Sequence, residues 1–145
     1  MVVASPTASF ALPEALRGIY AAAGGLPRLI RNVGLPLATE IALTGRRLSA
    51  SEALEYHLIN KISSTPQSVV DEAVELARKI GEVSPDAVVV TRAALREAWE
   101  RGSVERAFQV VDERFGAVLK AGENAKEGLA AFAEKRKPKW RPSKL

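Results

Sequence analysis

The sequence has no cysteine, which excludes a disulfide scaffold, a thiolate metal site and a thiol nucleophile. It has one histidine, His57, so a histidine-rich metal centre is not expected and no metal ligands are assigned. No apolar run approaches the roughly 18–20 residues that cross a bilayer, so no membrane span is expected. The opening "MVVASPTASFALPE" lacks basic residues ahead of its apolar ones, unlike a secretory leader, and lacks the arginines of a transit peptide. Internal repeats and low-complexity linkers are absent as well.

What remains is a chain of globular composition. Apolar residues make up 47% and charged residues 26%, too balanced for a disordered chain. A length of 145 residues favours one domain and is enough to bury a core. The net charge of +4 is concentrated at one end. The final "EKRKPKWRPSKL" holds six Lys/Arg against one Glu, and the other 133 residues sum to −1. A basic tail attracts anions of several kinds, or simply lies in solvent. It holds one Trp and no stacking platform, so nucleic acid is not the expected partner.

The last three residues are Ser143, Lys144 and Leu145. A C-terminal S-K-L is an address read by a peroxisomal import receptor, so the peroxisomal matrix is the expected location. Pro138 and Pro142 disfavour helix and predict an extended, reachable end.

Along the chain, "VVAS" and "SFAL" read as brief strands split by Pro6, and "LINKIS" (58–63) as another. "GGLPRLIRNVG" reads as a helix that opens at Gly24-Gly25 and closes at Gly34, with Pro27 in its first turn. "LPLATEIALTG" reads as a second helix, stopped by Gly45. Ser49 and Glu52 have capping-box spacing. From Thr65 onward the pattern is helix only: a start at Thr65-Pro66, another at Ser84-Pro85, a break at Gly102-Ser103, and a last helix from about Asn124 to Arg136. Residues 1–64 therefore mix strand and helix. Residues 65–145 form amphipathic helices whose apolar faces predict helix-on-helix packing or subunit contacts.

Four blocks in register carry a resemblance: "FALPEALRGIYAAAGGLPRLIRNVG", "ALTGRRLSASEALEYHLINKI", "SPDAVVVTRAAL" and "AKEGLAAFAEKRKP". Together they resemble the C-terminal half of an enoyl-CoA hydratase/isomerase, the crotonase family, with the form of the first block similar to hydratases and carnitinyl-CoA-dehydratase-like members. The resemblance implies an α/β crotonase-like spiral fold, truncated, in which this chain is mostly α with a few short strands. Residues 1–64 would supply the C-terminal part of the ββα core. Residues 65–145 would form a helical trimerisation and coenzyme A-contacting region. The implied activity is hydration of trans-2-enoyl-CoA in peroxisomal fatty-acid β-oxidation. Isomerase activity, or an inactive fragment serving as an oligomerisation module, is the alternative.

The residue roles follow from the same resemblance. Glu14 aligns with the family's proline-linked catalytic glutamate, a general acid/base at Cα while water adds at Cβ. Without the family it would read as an ordinary helix-start carboxylate. Gly24 and Gly25 match paired glycines that let the backbone approach the substrate, a role compatible with a plain tight turn. Phe132 and Lys135 match positions that reach the adenine and phosphates of coenzyme A; otherwise they read as core and solvent residues. Coenzyme A enters only as part of the substrate. The implied partners are an acyl-CoA, further copies in a trimer or dimer of trimers, and the import receptor. The family's oxyanion donors and second glutamate belong to a segment that would precede Met1, so the chain is expected to begin in mid-domain. Two departures stand out. Ala21-Ala22 replace a usual Pro-Gly, and His57 stands where a helix-closing glycine is usual, which predicts a structural or exposed histidine.

Overall fold

The computed structural model describes residues 1–145 and divides them into two compact units, Met1–Leu76 and Ala77–Leu145.

In the first unit, β1 (Val3–Ala4) pairs in parallel with β4 (Lys61–Ile62), and β2 (Ser9–Phe10) pairs antiparallel with β3 (Leu48–Ser49). Helices α1 (Gly25–Val33), α2 (Leu35–Thr44) and α3 (Ala50–Glu55) lie between them in sequence. The glycines stop α1 and α2 as expected: the N–H of Gly34 closes on Ile30 O and that of Gly45 on Ile41 O. Ser49 and Glu52 form the full reciprocal capping box at the start of α3. The core gathers Leu29, Ala38, Ile41 and Leu48, flanked by Phe10, Leu12 and Leu58. A second cluster joins Ala4, Ala53 and Ile59.

His57 ends α3 in the left-handed region, φ +58, and is exposed. Leu58 N–H reaches Ala53 O and His57 N–H reaches Leu54 O, the two bonds of a Schellman closure. The histidine thus takes the conformation that a glycine would adopt without strain.

The helix α4 (Val69–Gly81) contains the boundary between the units. It starts three residues after the expected Thr65-Pro66 signal. The Thr65 hydroxyl accepts the Ser68 N–H at 3.1 Å and Ser64 N–H donates to Glu72 at 2.7 Å, so Thr65–Ser68 is a turn that precedes the helix.

The second unit is helical. Ser84 caps α5 (Pro85–Arg101) and Ser103 caps α6 (Val104–Val111), with Gly102 left-handed between them at φ +71. A π-turn at Asp112–Gly116 leads into α7 (Ala117–Ala121), followed by α8 (Glu123–Ala133). This last helix is shorter than expected. Lys135 is left-handed at φ +53, and Arg136 N–H bonds Ala131 O, a Schellman closure that ends the helix before Arg136.

The C-terminus is non-helical as expected, and Lys144 and Leu145 are exposed, but the segment before them is not free. Residues 136–145 lie back on their own unit: Arg141 N–H donates to Asn124 at 2.8 Å, and the Trp140 indole donates to Glu82 O at 2.7 Å. Proline prevents helix here but does not prevent docking, because the backbone finds side-chain partners instead.

Candidate functional site

Glu14 opens a short 3₁₀ turn, Ala15–Arg17, whose N–H groups close on it: Arg17 N and Ile19 N both donate to Glu14 O, at 2.9 and 3.2 Å. The turn is seated on Gly45. That glycine is buried and left-handed, φ +60, and a Cβ there would lie 2.8 Å from Leu16 Cδ1 and 3.4 Å from Pro13 Cα. A side chain there would have to displace Leu16, so the glycine lets Pro13 and Leu16 close over the end of α2 next to Glu14.

The carboxylate is half-buried, and its Oε2 is shielded from solvent with no hydrogen-bond partner. Buried carboxylate oxygens normally have one. Glu72 and Glu97 also hold such an oxygen, but each is ion-paired, with Lys61 and Arg101. Asp86 faces the Ser143 hydroxyl and the Asn124 amide. Glu14 has no ion pair. The residues after it, Leu16, Ile19 and Tyr20, are all more than 60% exposed.

The glycine pair divides its labour. Gly24 is left-handed at φ +82, next to Ala23 at φ +55. A Cβ on Gly24 would fall 2.2 Å from an Arg28 guanidinium nitrogen, which donates to Gly24 O at 3.0 Å. Gly25 begins α1, where a Cβ would make an ordinary contact with Ala21 Cβ at 3.9 Å; it lines a groove of about 500 Å³ with Arg28, Asn32, Phe10 and Leu12. Glu14 does not line that groove. Sequence reasoning missed Ala23, Arg28 and Gly45. A non-glycine left-handed residue has no sequence signature, whereas Gly45 was readable only as a helix stop.

In the second unit, Phe132 projects into solvent at 86% exposure, and Lys135 N–H donates to its carbonyl at 3.2 Å. The two therefore sit side by side at the end of α8. The basic tail is partly neutralised. Arg136 forms a two-pronged pair with Glu127 at 2.6 and 3.0 Å, and Lys144 reaches Glu123 at 2.8 Å. With the Lys139 N–H, the Arg136 guanidinium holds the Glu127 carboxyl down to about 2. Glu52 is also held down to about 2, first by the Ser49 N–H and then by Arg46.

A strand-poor scaffold presenting a proline-linked glutamate and a glycine-opened helix defines a class, and comparison with known proteins gives the family. Residues 1–143 match the family model for enoyl-CoA hydratase/isomerase, and the chain belongs to that family. It is 50% identical to a mevalonyl-coenzyme A hydratase of Aspergillus fumigatus over 100% of its own length and 53% of that protein. It is 38% identical to a carnitinyl-CoA dehydratase of Proteus mirabilis, over 97% of its length and 54% of that protein. Among solved structures it superposes on an enoyl-CoA hydratase subunit of Geobacillus kaustophilus with a TM-score of 0.91 at 34% identity, covering 99% of this chain and 55% of the other. The enoyl-CoA hydratase of Mycobacterium tuberculosis gives 0.89 at 38%, with 99% and 56% covered. The fold is therefore that of a crotonase, truncated. The chain spans about half the length of the curated relatives it matches.

Proposed function

We propose that this chain carries the proton-transferring half of a CoA-thioester hydratase. In the forward direction water oxygen bonds Cβ of a 2-enoyl thioester while Glu14 delivers a proton to Cα. The glutamate is then reprotonated at the expense of the water, so the net reaction adds one water. The observation that carries the reading is Glu14 Oε2, buried and without a partner, on a turn locked by Pro13, Leu16 and Gly45. Gly24 and Gly25 would bring backbone close to the acyl group. Phe132 and Lys135 would take the adenine and phosphates of coenzyme A, a role supported by the exposure of Phe132.

The acyl group we favour is a short, hydroxylated mevalonyl type rather than a straight fatty chain, because half of the residues are identical to a mevalonyl-coenzyme A hydratase. Peroxisomal β-oxidation is the competing assignment. The Ser143-Lys144-Leu145 end supports a peroxisomal location under either one. Assembly into a trimer or a dimer of trimers fits the uncovered apolar residues Val104, Phe108 and Leu129. Those same residues favour a second reading, in which an inactive chain joins intact relatives through its helices.

The test is turnover by the longest natural product that carries this sequence, with loss of water from mevalonyl-CoA and from 3-hydroxybutyryl-CoA, the reverse of hydration, compared by kcat/KM. Preference for the mevalonyl thioester is expected. Preference for 3-hydroxybutyryl-CoA would return the assignment to β-oxidation, and no turnover of either would leave the joining role as the surviving reading.

A further inference from the structure

The tail that holds the Ser-Lys-Leu address is held at several points ahead of its end. Arg136 grips Glu127 with two nitrogens, and the Lys139 N–H donates to the same carboxylate at 2.7 Å. The Trp140 ring lies against Gly128, where a Cβ would come within 3.1 Å of its Cη2. Asn124, 3% exposed, spends both ends of its amide on the strap: its oxygen accepts Arg141 N–H at 2.8 Å and its nitrogen donates to Arg141 O at 3.0 Å. The same nitrogen donates to Asp86 at 2.8 Å. At the end itself, the Ser143 hydroxyl faces Asp86, Lys144 is paired with Glu123, and Leu145 N–H donates to Ser143 Oγ at 3.1 Å. Leu145 lines a cavity of about 510 Å³ with Val118, Ala121 and Pro142.

We propose that residues 136–145 form an intrachain strap that withholds Ser143, Lys144 and Leu145 from an import receptor, so that reading the address requires the strap to lift. The inference rests on the peroxisomal reading given above. Its physical basis is competition for the same groups. A receptor that reads three terminal residues must engage the serine hydroxyl, the lysine ammonium and the leucine side chain. The Lys144 ammonium is paired with Glu123 at the surface and Ser143 lies beside Asp86, on a backbone held at Trp140 and Arg141, while Leu145 stays 37% exposed; a receptor that closes around the three residues competes with that docked backbone. The apparent affinity of the receptor is then reduced by the fraction of strap that is lifted.

The experiment uses the full 145-residue chain, the synthetic peptide EKRKPKWRPSKL and the purified tail-binding domain of a peroxisomal import receptor. Asn124→Ala removes the central amide. Gly128→Leu evicts the Trp140 ring while placing a good helix former in α8, so it loosens the strap without threatening the helix. The receptor is expected to bind the peptide at least about tenfold more tightly than the wild-type chain, with both variants closing the gap. The Arg141 amide is expected to exchange slowly in the wild type and quickly in the variants. Equal affinity for wild-type chain and peptide, or a fast-exchanging Arg141 amide in the wild type, would overturn the strap. A receptor that ignores the peptide itself would overturn the targeting reading, and the proposal with it, while leaving Arg141 protected.

Discussion

Met1–Leu76 buries Ile41 and Leu48 to 2% exposure or less, whereas in Ala77–Leu145 the most buried side chains are Ala131, Asn124, Ala107 and Asp86. One unit is organised around branched apolar side chains. The other buries only small alanines beside an amide and a carboxylate, while Val104, Phe108, Leu129 and Phe132 stay largely in water. The difference follows from what each segment can close on. Short ladders and three helices enclose a shared interior in the first unit. In the second, successive helices leave apolar faces open, and polar pairing with the tail supplies part of the cohesion. An apolar core tolerates changes in pH and salt, and a polar clasp does not.

Ile41→Ala should be the most damaging substitution. It removes a fully buried side chain and is expected to cost about 2–5 kcal/mol, seen by denaturant unfolding as an early transition of residues 1–76. A loss under about 1 kcal/mol would mean that the core can collapse around the gap. Next is Gly45→Ala, which adds a Cβ against Leu16 at a left-handed position. We expect a loss of about 1–3 kcal/mol and displacement of the Glu14 turn, checked by NMR shifts at residues 13–18. In the second unit, Asn124→Ala leaves Asp86 and the Arg141 backbone short of partners, at an expected cost of about 1–3 kcal/mol. That loss should be greater than for any exposed apolar substitution in the same unit, such as Leu129→Ala.

Acid sharpens the contrast. The carboxyls of Glu52, Glu72 and Glu127 are held down to about 2 from 4.5, so they bind protons more weakly in the folded chain than in the unfolded one. Their contribution is complete above pH 4.5 and is lost as pH falls from there toward about 2. Only Glu127 holds the tail, so titration followed by amide exchange should loosen residues 136–145 in that window. In the first unit the same acid loosens the α3 cap at Glu52 and the Ser64 turn at Glu72, while the apolar core around Ile41 keeps its protection. The smallest effect expected is a gain. His57→Gly relieves a left-handed residue on an exposed turn and should stabilise by about 0.5–1 kcal/mol in thermal unfolding.

The helix stops at Gly34 and Gly45, the Ser49–Glu52 capping box and the Ser84-Pro85 start were all legible, because each is set by a few adjacent residues. The Pro13-Glu14 pair was legible only through the company it keeps, since one carboxylate behind a proline is common. Two things could not be read locally. The support of Glu14 by Gly45 joins residues far apart in the chain, and the docking of the tail depends on Asn124 and Gly128 offering amide groups and space at the right place on α8. Proline and charge in "EKRKPKWRPSKL" describe a chain that will not be helical, but not what it leans on. The late start of α4 belongs to the same class, because Thr65 and Ser68 bond each other before the helix begins.

Glu14 is the proposed group that exchanges a proton with substrate. The direct measurement is the hydration rate of Glu14→Gln in the longest natural product carrying this sequence, with unfolding midpoints matched to wild type. The glutamine keeps the shape but cannot transfer the proton, so a fall of about 10²–10⁴ in kcat is predicted, with binding of the thioester retained. A near-wild-type kcat would contradict the role assigned to Glu14 and would shift the functional interest of this chain to the open helix faces of residues 77–145.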